Sequence, residues 1–128
     1  MSAEREYYAD DEGTAVDLLL PAFGSQSVQC INLDAHSPDD KMRADIQFLI
    51  EKQNAFSQKI TAQTQAYCKR VYGAEATELI LVKIYLSPDE KGRFGFMFTT
   101  DRDHEHGIGL KFMGLELKSV GSSETAFL

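Results

Sequence analysis

One apolar stripe constrains this chain more than any other feature. Met42, Ile46, Leu49, Phe56, Ile60, Tyr67 and Val71 recur at three- and four-residue steps, between two blocks that alternate like strands. The stripe follows His36-Ser37-Pro38-Asp39-Asp40, where Ser37 suits a helix cap, Pro38 the first helical position, and the two aspartates the positive end of the dipole. Gly73 stands where a left-handed C-cap belongs. One helix over 38–72 would be about 52 Å long at 1.5 Å per residue, whereas a domain of this size is roughly 35–40 Å across. The spacing therefore predicts two consecutive helices, broken near Gln53-Asn54-Ala55.

Strand patterns surround this segment. TAVDLLL at 14–20 reads as a strand ended by Pro21, and SVQCINLD at 27–34 alternates Val28, Cys30 and Asn32 against Gln29, Ile31 and Leu33. ELILVKIYLS at 78–87 sets Ile80, Val82, Ile84 and Leu86 against Leu79, Leu81, Lys83 and Tyr85, which predicts a central strand covered on both faces. RFGFMFTT at 93–100 aligns Phe94, Phe96 and Phe98 for the core, and GIGLKFM at 107–113 aligns Ile108, Leu110 and Phe112. Gly114 allows a reversal into LELKSV, making a C-terminal hairpin. Strands before and after one helical block predict an α+β domain over residues 13–128. Its mainly antiparallel sheet of about six strands carries the helices on one face, and no βαβ alternation points to a doubly wound sheet. Residues 1–12, with Glu4, Glu6, Asp10, Asp11 and Glu12, read as a flexible acidic lead-in from which Tyr7 and Tyr8 could still dock.

At 128 residues the chain suits one hydrophobic core. Its net charge of -7 opposes a polyphosphate backbone, which argues against autonomous nucleic-acid binding. Residues 1–50 hold ten acidic and three basic side chains, whereas 51–128 hold ten of each, so the acidic excess is N-terminal. No apolar run has the roughly 18 residues of a membrane-spanning helix, and the acidic start is unlike a secretory signal, so a cytoplasmic protein without membrane association is expected. Cys30 and Cys68 have neither CxxC nor Cys-His spacing and are expected as buried, reduced thiols.

The densest polar constellation is Asp101-Arg102-Asp103-His104-Glu105-His106-Gly107. If 103–106 were extended, His104 and His106 would share a face and could present two imidazoles to a metal; a metal site normally needs three or four ligands, and His36 lies in an unrelated loop. An acid-base reading would pair His106 with Asp103 or Glu105. Neither has the rest of a catalytic apparatus, such as a nucleophile elbow or a phosphate-binding loop. A structural alternative has His106 bracing the turn while Gly107 and Gly109 permit unusual backbone angles or close strand approach. No enzyme activity and no cofactor are predicted.

The stretches LLLPAF, VQCINLD, SPDDKMRADIQFLIEKQNAF, AYCKRVYG and above all DRDHEHGIGLKFMGLELKSVGSSETAF resemble a small, little-characterised bacterial family. Its members end in an acidic-EHG-I/L-G strand, a hairpin and a VG-x-x-(D/E)-x-A-F close. The likeness spans about residues 16–127, and its specific part is Asp103, Glu105, His106, Gly107, Gly109, Val120, Gly121, Glu124, Ala126 and Phe127. An aromatic, often tryptophan, is usual near the acidic-EHG motif, and this chain has no Trp. The family is similar to immunity proteins of bacterial toxin systems. The resemblance implies a non-catalytic inhibitor that covers a toxin's active surface, its acidic face meeting a basic toxin domain. Asp101, Asp103, Glu105 and His106 are the first partner-binding candidates, and Asp10, Asp11 and Glu12 the second. An adaptor binding a cellular protein would have the same composition, and an enzyme centred on His104 and His106 is the third reading. A monomer or weak homodimer is expected, with Lys111 and Lys118 blunting the hairpin edge.

Overall fold

A computed structural model describes residues 5–128, and in it the apolar stripe is divided between α1 (Asp40–Glu51) and α2 (Gln53–Tyr72). The division falls at Lys52, just ahead of the expected break. Gln53 anchors it: its side chain accepts from the Ala22 N–H at 3.0 Å and donates to the Ile50 carbonyl at 3.1 Å. The N-cap of α1 is Asp39 rather than Ser37, its carboxylate accepting from the Met42 N–H at 2.8 Å, so Pro38 precedes the cap. Gly73 ends α2 in the left-handed region at φ 78°.

Among the described residues seven strands form one sheet in sequential order: β1 (Tyr8–Asp10), β2 (Gly13–Leu19), β3 (Ser27–Leu33), β4 (Leu79–Leu86), β5 (Arg93–Thr100), β6 (Ile108–Met113) and β7 (Glu116–Gly121). All neighbours are antiparallel except β3 and β4, which the helical pair joins as one parallel crossover. The fold is α+β with one strand more than the sequence patterns predict. The extra strand, β1, comes from the acidic lead-in. That segment has little apolar content to bury; its backbone pairs with β2, Tyr8 donates to Asp17 on β2, and Asp10 accepts from Gln29 on β3. Glu4 lies outside the described residues.

Strict alternation also fails in β4. A bulge between Leu81 and Lys83 shifts the register by one residue, so Leu81 shares the core with Ile84 and Leu86, while Ile80 and Val82 are exposed. The strand is central as expected, but its first half is covered on one face only. In α2 the buried row is Phe56, Ile60, Thr64 and Cys68, whereas Val71 is exposed. Thr64 is accommodated because its hydroxyl donates to the Ile60 carbonyl at 2.6 Å.

Phe56 from α2 centres the core, with ring centroids 5.2–5.4 Å from Phe94, Phe96 and Phe112. Asp45, buried on α1, accepts from Lys41 Nζ at 2.6 Å and from the Gly92 N–H at 2.9 Å, tying the helix to the β4–β5 turn. Both cysteines are buried and unpaired, and burial, followed by the nearby Asp45 charge, raises the Cys30 thiol to about 12.

The opposite sheet face carries a smaller cluster of Ala15, Ile31, Tyr85 and Ala126. Ala126 reaches it from a short 3-10 helix, η1 (Ser123–Ala126), which lies over β5 and β6. Among the described residues no helix is long and apolar enough to cross a membrane.

Candidate functional site

Residues 101–106, which connect β5 to β6, form turns rather than an extended segment, so alternation does not place His104 and His106 on one strand face. The Gly107 N–H closes back on the Asp103 carbonyl at 3.0 Å, and Gly107 takes φ 64°. The Asp103 carboxylate accepts from the Glu105 N–H at 3.2 Å, the His106 N–H at 3.0 Å and the Tyr72 hydroxyl at 3.1 Å. His106 Nδ1 lies 3.1 Å from the same carboxylate. The His106 backbone N–H, more than any other group, draws the Asp103 pKa below its ordinary value.

Asp101 is also committed inward. It accepts from the Thr77 hydroxyl at 2.7 Å and the Thr77 and Glu78 N–H groups at 3.0 and 2.9 Å, and these bonds hold its pKa down to about 2. On the other side of the loop, the His106 carbonyl accepts from the Ser123 N–H at 3.0 Å and from the Ser123 hydroxyl. The constellation thus clamps the end of α2, the start of β4 and the C-terminal η1. Asp101 and Asp103 have their carboxylates engaged in that clamp, while His104 and Glu105 remain exposed. His106 contributes both through its backbone and through its ring beside Asp103. Among the described residues no three His, Cys, Asp or Glu side chains come together as a metal site.

Asp10, Asp11 and Glu12 lie elsewhere, at the end of β1 and in the turn that leads to β2. The register runs from Gly13 to Leu33 and from Asn32 to Leu86, while Leu79 pairs with Thr100, which places this turn and the 101–106 loop at opposite ends of the sheet. The two groups of candidate residues do not form one site. The turn instead joins a network on the face turned away from the helices. Tyr8 donates to Asp17 at 2.7 Å, Gln29 donates to Tyr8 and Asp10 at 3.1 Å each, and Lys83 Nζ donates to Glu12 at 2.9 Å.

This network gathers Glu12 and Asp10 near Lys83 and ties Asp17 to it through Tyr8 and Gln29, with exposed Asp11 in the adjoining turn. The Glu12 N–H is the largest influence lowering the Asp10 pKa, and the Glu12 carboxylate is the largest raising that of Lys83. Farther along the same face stand Leu19, 60% exposed, and Ile80 and Val82, 48% and 38% exposed. Asp17, Leu19, Gln29 and Lys83 are the members that motif searching misses. The available signal is period two: Asp17 and Leu19 fall opposite the buried Val16, Leu18 and Leu20.

The sheet face turned away from the helices combines fixed charge with exposed apolar side chains. No protein-family model matches the chain, and comparison with curated proteins and with solved structures likewise finds no match.

Proposed function

We propose that this protein is a non-catalytic binding protein whose acidic sheet face docks a basic protein surface. The observation that carries the reading is the network of Asp10, Glu12 and Asp17, fixed by Tyr8, Gln29 and Lys83 beside exposed Leu19, Ile80 and Val82. Carboxylates held in place in the free protein lose little conformational freedom on binding, and concentrated charge speeds encounter with a cationic partner. Exposed aliphatic side chains supply surface that a partner would dehydrate. The sequence resemblance nominates a toxin domain as that partner, with this chain occluding its active surface as an immunity protein does. The 101–106 loop contributes contact through Glu105 and His104, its aspartates acting as supports.

Co-expression with a toxin encoded beside this gene tests the reading. Protection of the host cell is expected, and Asp11→Lys combined with Asp17→Asn, which keeps an acceptor oxygen for the Tyr8 hydroxyl, should weaken the purified complex at least about tenfold while leaving thermal unfolding nearly unchanged. Binding indifferent to charge reversal and to salt rejects this face. Lack of protection against any neighbouring toxin rejects the immunity role, and co-purification of one defined housekeeping protein would then favour an adaptor.

A further inference from the structure

A cavity of about 320 Å³ opens where β4, β5 and β6 meet the segment after η1. Its volume lies at the lower end of the roughly 300–1,000 Å³ typical of small-molecule sites. Tyr85 and Phe127 form one wall, with ring centroids 5.3 Å apart. The charged groups facing it are Lys111, Arg93, Asp34 and Asp89.

Lys111 distinguishes this cavity from an ordinary surface hollow. It is half-buried, and among the described residues its ammonium has no hydrogen-bond or ion-pair partner. Arg93 lies diagonally across from it, since Lys111 pairs with Gly95, and Gly95 places no side chain between them. Arg93 is already engaged, donating to Glu90 at 3.0 Å and to the Leu128 carbonyl at 3.0 Å. Burial, followed by the Arg93 charge, depresses the Lys111 pKa, and the Glu90 carboxylate paired with Arg93 opposes this only in part. Two cations on neighbouring strands in a concave, partly dehydrated place oppose one another, and a bound anion relieves both the repulsion and the desolvation.

We propose that this cavity binds a small organic carboxylate, with Lys111 as its counter-ion and Tyr85 and Phe127 as its apolar wall. Asp34 and Asp89, which also line the cavity, disfavour a multiply charged phosphate and favour a monoanion. Asp34 is held at φ 58°, a left-handed conformation that aspartate tolerates better than most side chains and that asparagine shares. The site is independent of the toxin reading, and neither result decides the other.

Benzoate and inorganic phosphate are the probes, each followed by amide chemical shifts of the isotope-labelled full chain. Benzoate should give saturable shifts around Gly95, Lys111 and Phe127, and phosphate none at the same concentration. Lys111→Met should weaken benzoate at least about tenfold, and Lys111→Arg should retain it. Asp34→Asn should tighten it, a gain that misfolding cannot imitate. Absence of saturable shifts, equal binding by Lys111→Met, or weaker binding by Asp34→Asn overturns the proposal, and phosphate binding as well as benzoate overturns the ligand class.

Discussion

The backbone of Ala126 rests directly on Gly95: a Cβ at Gly95 would fall 1.7 Å from the Ala126 carbonyl oxygen. Gly109 is covered in the same way, its Cβ position lying 2.6 Å from the Ser123 carbonyl oxygen and 2.8 Å from the Ala126 nitrogen. The glycines in the sheet therefore admit the C-terminal cap. Gly95→Ala should destabilise the protein by about 1–3 kcal/mol, the usual cost of overpacking, as measured by denaturant unfolding. Removing residues 122–128 from that variant should cost less than removing them from the parent, because the steric conflict goes with them.

Asp101 makes stability depend on acid. Its folded-state pKa of about 2 lies below the ordinary value of 3.8, so its contribution is fully present above about pH 4 and is lost as pH falls toward 2. Asp101→Asn should lower the thermal midpoint at pH 7 and flatten the decline between pH 4 and 2. Parallel pH curves for variant and parent would show that the loop does not use this carboxylate.

Asp103 and Glu105 should separate, although both belong to the same acidic motif. Asp103→Ala removes acceptors from Glu105, His106 and Tyr72 and should lower the thermal midpoint, whereas Glu105→Ala should leave it within the scatter of surface substitutions. Equal effects on unfolding would contradict the clamp.

Asn32 is fully buried, and neither polar atom of its side chain has a hydrogen-bond partner among the described residues. Such burial costs about 1–3 kcal/mol, so Asn32→Val should stabilise the fold by about 1 kcal/mol in chemical denaturation. A loss of stability would reveal a polar partner for this side chain.

Much of this architecture was legible along the chain. The Phe94-Phe96-Phe98 and Ile108-Leu110-Phe112 faces, the hairpin at Gly114 and the stop at Gly73 follow local rules of period and backbone freedom. The differences arise where neighbouring residues offer rival local solutions or where a distant contact intervenes. Asp39 rather than Ser37 caps α1, and one extra residue in β4 reverses which aliphatic side chains are buried. The acidic lead-in forms a strand because its backbone pairs with β2 while Tyr8 donates to Asp17 and Gln29 donates to Asp10.

The 101–107 motif was legible as a place but not as a role. A string of aspartate and histidine has the same composition whether it faces a partner or supports a turn. The difference depends on Tyr72, Thr77 and Ser123, residues 17 to 31 positions away from their partners in the loop. By itself the sequence determined the α+β class, the two helices, the phenylalanine core and the acidic balance, because periodicity, capping and charge belong to neighbouring residues. Only the tertiary structure decided that Asp101 and Asp103 turn inward, that Asp10, Glu12 and Asp17 share one face, and that Lys111 borders a cavity. Those outcomes depend on which strands lie side by side, and strand pairing is a property of the whole chain.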